Sequence, residues 1–192
     1  MSEAAARSDR RIERGTPAFY HTNLAMFAAG FSTFALLYGV QPLMPVFCAE
    51  FGVSPAVSSL SISLTTAALS VAIVIAGSLS ESLGRKRVMV LSLAASALLT
   101  LGGAAVTSFG QLLLLRLLMG VALSGVPSVA LAYLGEEIAS RSIGLSIGLF
   151  IGGSAFGGMV GRFLCAALTD LGGWRLGLAA IGAVGALCAV IF

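Results

Sequence analysis

Two long runs without a single Asp, Glu, Lys or Arg, Phe51 to Ser80 and Val88 to Leu115, restrict this chain more than any other feature. A helix on the surface of a soluble domain keeps a polar face in water, and these runs have no charge with which to make one. They suit a bilayer, whose hydrocarbon layer of about 30 Å is crossed by roughly 20 apolar residues at 1.5 Å each. The composition agrees: 58% of residues are hydrophobic, 10% are charged and the mean hydropathy is +1.02. A soluble domain carries about 25% charged residues. Six such segments can be laid along the sequence: Thr22–Phe47, Val57–Ser80, Val88–Thr107, Leu112–Leu134, Ser142–Leu168 and Leu176–Phe192. The sixth is short and stops while still apolar, which leads us to expect part of a longer protein.

Small and hydroxyl residues recur at helical steps inside these segments, which points away from an outer-membrane barrel of ten-residue alternating strands. Ser59, Ser63, Thr66 and Ser70 mark one face of the second segment, and Ser92, Ser96, Thr100, Gly103 and Thr107 one face of the third. Such faces are expected to pack closely against neighbouring helices or, as the alternative, to line a cavity. The fifth segment holds the densest glycine run, Gly148, Gly152, Gly153, Gly157, Gly158 and Gly161, so another helix should cross it tightly. The first and fourth segments are both interrupted, by Gly39 and Pro42 and by Gly120, Gly125 and Pro127. Breaks at matching places in two triplets of helices point to a transport pathway.

The basic residues fall on one side. Arg7, Arg10, Arg11 and Arg14 precede the first segment, Arg85, Lys86 and Arg87 follow the second, and Arg141 follows the fourth, against Arg175 alone on the other side. Positive charge marks the cytoplasmic side, so the N-terminus is expected in the cytoplasm of a multi-pass inner (plasma) membrane protein. Residues 1–17 read as a disordered cytoplasmic tail and 18–192 as the transmembrane bundle. Phe109 and Trp174 are expected as anchors at the outer interface. The pI of about 9.1 comes with a net charge of only +3 and no soluble basic domain, which excludes nucleic acid as a partner. Cys48, Cys165 and Cys188 lack metal-ligand spacing, and no cofactor is implied.

Two charges lie within the apolar segments. Arg116 and Arg162 are expensive at such depth, and no Asp or Glu lies inside any segment to neutralise them. Each either snorkels to the outer headgroups or faces inward, towards a substrate, another part of the protein, or polar groups such as Tyr38 and Gln41. Tyr38 and Gln41 are three apart beside Pro42 and can line one cavity. At the turn GSLSESLGRKR, Glu81 closes one helix while Arg85, Lys86 and Arg87 open the next, the reverse of what helix dipoles favour. A Glu81–Arg85 pair, or the positive end of a helix outside this chain, would hold the acid. Gly77 is expected to allow a close approach and Gly84 a tight turn.

That turn resembles the signature loop between the second and third helices of the major facilitator superfamily. Gly77, Glu81, Gly84, Lys86 and Arg87 match, Arg85 is an additional base, and Ser82 stands where a base is usual. RLLMGVALSG, from Arg116 to Gly125, is similar to the family's fourth helix, and GSAFGG, from Gly153 to Gly158, to the antiporter motif with Ser154 in place of proline. The resemblance implies an all-α fold forming the N-terminal six-helix half, built of two inverted three-helix repeats. It implies secondary active transport of a small solute by alternating access: proton-coupled efflux of a drug, sugar or metabolite. Glu81 and its basic neighbours would latch the cytoplasmic side and Arg116 would couple proton or substrate movement, while Tyr38, Gln41 and Arg162, from their own positions, are expected to line the substrate or proton pathway with it. The partners implied are a substrate, protons, lipid, and a second six-helix half or a second copy. Two other readings remain: a non-transporting or dimerising membrane module, and an intramembrane protease using Ser154. The protease lacks a nearby base, because the sole histidine, His21, stands at the far end of the first segment.

Overall fold

The computed structural model describes residues 11–192 and is helical throughout its six spans, with one isolated β-bridge, Ile12 to Ile138. The first span is α1 (Pro17–Tyr38), a single 3-10 turn (Gln41–Leu43) and α2 (Met44–Phe51). The second and third are α3 (Pro55–Leu83) and α4 (Arg85–Gly103); the fourth is α5 (Phe109–Leu123) continued by α6 (Gly125–Glu137). The fifth and sixth are α7 (Ile143–Gly172) and α8 (Trp174–Ile191). The helices begin where the sequence offers caps. Thr16, Ser54 and Ser108 accept from the backbone N–H groups of Phe19, Val57 and Gln111, and Pro17 and Pro55 occupy the first turn, where an N–H would lack a partner.

Packing follows the small residues. α1 lies along α7, α3 along α5 and α4 along α8. Exchanging the first triplet of spans for the second maps the first pair of contacts onto the second and the third onto itself, the pattern of two repeated three-helix units. Both members of the exchanged pair make the same kind of close approach. A Cβ on Gly153 would come within 2.5 Å of the Phe27 carbonyl oxygen and one on Gly161 within 2.7 Å of Ala35 Cα. Gly157 against Phe31, and Gly120 against Thr65 on the other pair, leave even less room. Gly148 and Gly152 point to open space instead.

The third-span face behaves as expected over Ser92, Ser96, Thr100 and Gly103, which are buried, and Thr100 Oγ1 donates to Met119 Sδ at 3.1 Å; Thr107 does not share it, since the helix ends at Gly103 and Thr107 is exposed in the turn that follows. The second-span face does not. Ser63, Thr66 and Ser70 are exposed, and the Ser59, Ser63, Thr66 and Ser70 hydroxyls turn back onto carbonyls of their own helix. The packing residues of α3 are Ser58, Ser61 and Thr65, on another face of the helix. Phe109 and Trp174 are also not interfacial anchors. They are 8% and 3% exposed and form one aromatic cluster with Phe47 and Phe51, which closes the end of the bundle opposite Gly84.

Residues 11–17, expected within a disordered tail, are placed: Ile12 exchanges backbone hydrogen bonds with Glu137 (2.7 Å) and Ala139 (3.1 Å), and Arg11 donates to Ser140 Oγ at 3.2 Å. The short strap makes two backbone hydrogen bonds and packs the half-buried Ile12 against the cluster that contains Ile138, contacts that composition alone does not reveal. The remainder of the tail, residues 1–10, lies outside the described residues.

Candidate functional site

Both interrupted spans break where proline withholds an N–H. In the first, Pro42 cannot serve the Tyr38 carbonyl, α1 stops at Tyr38, and the carbonyls of its last turn are released. Arg116 of α5 takes two of them. Its Nη1 donates to Leu36 O at 3.1 Å and Nη2 to Leu37 O at 2.8 Å, while Nε donates to Ser61 O of α3 at 2.8 Å. A guanidinium thus sits on the negative end of the α1 dipole and ties three spans together. The side chain is 3% exposed, so it neither snorkels nor touches Tyr38 or Gln41 through any of these bonds. In the fourth span the break falls at Ser124, just ahead of Pro127, and Ser92 Oγ of α4 donates to the Ala122 carbonyl at 2.5 Å. Gly125 permits this approach, since a Cβ there would lie 2.9 Å from that of Ser92.

Arg162 is differently placed. It lies ten residues before the end of α7 at Gly172, about 15 Å along the helix at 1.5 Å per residue. Its Nε donates to Gln41 Oε1, its Nη1 donates to the Gly158 carbonyl at 3.2 Å, and its guanidinium lies 4.5 Å from the centre of the Tyr38 ring. Tyr38, Gln41 and Arg162 are therefore one cluster, half-buried to exposed, and Arg116 lies behind the end of the same helix, buried among backbone. Next to the cluster runs a stripe that the sequence reading passed over. Phe27, Phe31, Phe34 and Tyr38 recur at steps of four, three and four on α1, each half-buried, and Phe156 of α7 approaches Phe31 at 5.9 Å. That spacing was the available signal. Ser154 contributes packing: it donates to the Phe150 carbonyl at 2.9 Å and lies against Gly30.

At the other end of the bundle α3 and α4 meet across one residue, Gly84, with φ +89° and ψ +134°. Only glycine adopts that conformation without strain, so the expected tight turn is present. Gly77 makes no close approach among the described residues, as nothing lies within 4 Å of where its Cβ would stand. The expected Glu81–Arg85 pair is also absent. Arg85 instead reaches Glu136 at the end of α6, 2.9 Å away, because the turn directs the first residue of α4 towards the fourth span. Glu81 is exposed and forms no ion pair among the described residues, where the pairs are Arg85–Glu136 and, at the opposite end, Arg175–Glu50.

The sequence pattern of the Major Facilitator Superfamily matches residues 24–192, from within the first span through the sixth, with the Gly84 turn included. The chain belongs to this superfamily. It is 44% identical over 190 residues to the inner membrane transport protein YnfM of Escherichia coli, covering 99% of this chain and 46% of that protein. It is 48% identical over 181 residues to the uncharacterized MFS-type transporter YybF of Bacillus subtilis, covering 94% of this chain and 45% of that protein. A gallate transporter of Pseudomonas putida is 30% identical over 140 residues, 73% of this chain and 31% of its own length. The chain thus spans a little under half the length of its two more similar relatives. As a member of the superfamily it is a multi-pass membrane protein with the six-helix architecture of one half of that fold.

Proposed function

We propose that this bundle is one half of a secondary transporter that moves a small solute across the inner membrane by alternating access. The observation that carries the reading is the pair of interrupted spans, the first and the fourth, with Tyr38, Gln41 and Arg162 gathered at the first break. Polar and charged groups at bilayer depth, turned to an open face of the bundle, suit a water-filled path and not lipid. The transporter names of the relatives support the same activity, and nothing in the cluster arranges a nucleophile with a base.

The N-terminus lies in the cytoplasm, since Arg85, Lys86, Arg87 and Arg141 share the end of the bundle to which Arg11 is bound. Glu81, without an ion-pair partner among the described residues, latches this side by meeting the positive end of a helix in a second six-helix bundle, either a further segment or another copy. Proton-coupled efflux follows from the superfamily's habit and is the direction to test. Vesicles containing the protein, assembled with such a second bundle and given an imposed pH gradient, should show solute flux that collapses with the gradient. Flux equal to that of empty vesicles would refute transport, and flux indifferent to the gradient would refute coupling.

A further inference from the structure

We infer that the Tyr38–Gln41–Arg162 cluster is a binding subsite for an aromatic carboxylate, an assignment that rests on this face lining the solute path. The first argument is charge. Arg162 has no acidic partner among the described residues: Glu50 pairs with Arg175 and Glu136 with Arg85, at the two ends of the bundle. Its two hydrogen bonds go to neutral acceptors, the Gln41 amide and the Gly158 carbonyl. A guanidinium offers five N–H donors, so three remain, on the Nη1 and Nη2 edge that matches a carboxylate.

The second argument is shape. Tyr38 covers one face of the guanidinium at 4.5 Å and fixes its plane, and Gly158 leaves only a methyl-sized notch beside them, where a Cβ would touch the Tyr38 ring at 3.6 Å and Nη1 at 3.8 Å. From that notch an aromatic surface continues along the same face, with Phe34 5.9 Å from Tyr38 and Phe31 5.9 Å from Phe156. Planar half-buried rings take another ring by offset or edge contact. One unpaired arginine with no second base beside it suits a monoanion better than a phosphate, which draws several cationic groups. The ligand class is therefore a ring bearing one carboxylate, with the carboxylate on Arg162 and the ring over Tyr38 and Phe34.

The test is equilibrium binding of radiolabelled benzoate to the purified chain in lipid nanodiscs, with unlabelled benzamide and cyclohexanecarboxylate as competitors. Saturable benzoate binding is expected, with benzamide at least about tenfold weaker because it lacks the charge, and cyclohexanecarboxylate a few-fold weaker because it lacks the flat ring. Arg162→Gln should weaken benzoate by between about tenfold and a hundredfold, the range for a charged hydrogen-bonding pair. Arg162→Lys, which keeps the charge and loses the planar fork, should fall between, and Tyr38→Leu should reduce the preference for benzoate over cyclohexanecarboxylate. No saturable benzoate binding, equal affinity for benzamide, or an unchanged Arg162→Gln variant would overturn the proposal. Flux of a neutral or cationic solute through a protein that ignores benzoate would remove this site and leave transport standing. Benzoate bound by a protein that moves nothing would remove transport and leave the site.

Discussion

Replacing Arg116 by methionine is expected to destabilise the bundle by about 2–5 kcal/mol. The side chain donates to three carbonyl oxygens, Leu36, Leu37 and Ser61, at 2.8–3.1 Å. Hydrogen bonds to a charged group contribute about 1.5–3 kcal/mol each, so the gross loss is roughly 4.5–9 kcal/mol. Removing the charge returns what its burial costs, about 2.5–3.5 kcal/mol on membrane-insertion scales, and the net falls near the range given. Exchange of a buried ion pair for apolar residues is often neutral because both partners are replaced. Here two of the partners, Leu36 O and Leu37 O, are backbone carbonyls in the last turn of α1, which no substitution removes and which the end of the helix at Tyr38 leaves without a donor from a following turn. The single tryptophan, Trp174, is buried against Phe47 and Phe51 at the far end of the bundle and reports on its opening. Its fluorescence during SDS titration of the protein in mixed micelles gives the shift directly. Arg116→Lys should recover less than half of the loss, since one ammonium cannot reach carbonyls on two spans in the plane of a fork. A methionine variant as stable as the parent would refute the reasoning.

Three further perturbations follow from the packing and the turn. Gly157→Ala sets a methyl group against the Phe31 backbone, where nothing flexible can yield, and should cost about 1–3 kcal/mol in the same titration, while Gly152→Ala, facing open space, should change little. Gly84→Ala forces an L side chain to φ +89° and ψ +134° and should cost about 1–3 kcal/mol without preventing insertion, as read from the yield of folded protein after membrane extraction. Glu81→Gln should slow solute turnover in the assembled transporter and leave the melting temperature unchanged, because the carboxylate has no ion-pair partner among the described residues; equal turnover in vesicles would count against the latch.

What could be read from the sequence was whatever depends on periodicity and chain geometry. The six spans, the tight α1–α7 crossing at Gly153, Gly157 and Gly161, the breaks in the first and fourth spans, and the turn at Gly84 all follow from steps of three and four residues and from glycine and proline. Direction around a helix was harder to see. Ser59, Ser63, Thr66 and Ser70 carry the spacing of a packing face, yet Ser58, Ser61 and Thr65 form the face that packs, because both stripes of α3 are small and hydroxylated. Partner choice was the least visible. Arg116 could have met any acceptor, and two of its three backbone partners, Leu36 O and Leu37 O, exist only because a break in another span releases them. Arg85 turned from the nearby Glu81 to Glu136, 51 positions along the chain, since the Gly84 conformation sets its direction. The aromatic stripe of α1 was plain in its spacing, but apolar residues in an apolar helix gave no reason to single it out.

Whether the first-span face carrying Phe34, Tyr38 and Gln41 borders water is decided by thiol labelling. With Cys48, Cys165 and Cys188 replaced by serine or alanine, one cysteine is placed at Phe34 and, in a second variant, at Leu98, an exposed position on α4 that should meet lipid. In intact membranes a membrane-impermeant maleimide should modify the cysteine at 34 and spare the one at 98. Equal inertness of both, or faster labelling at 98, would mean that the open face of α1 lies against lipid and that no solute passes along it.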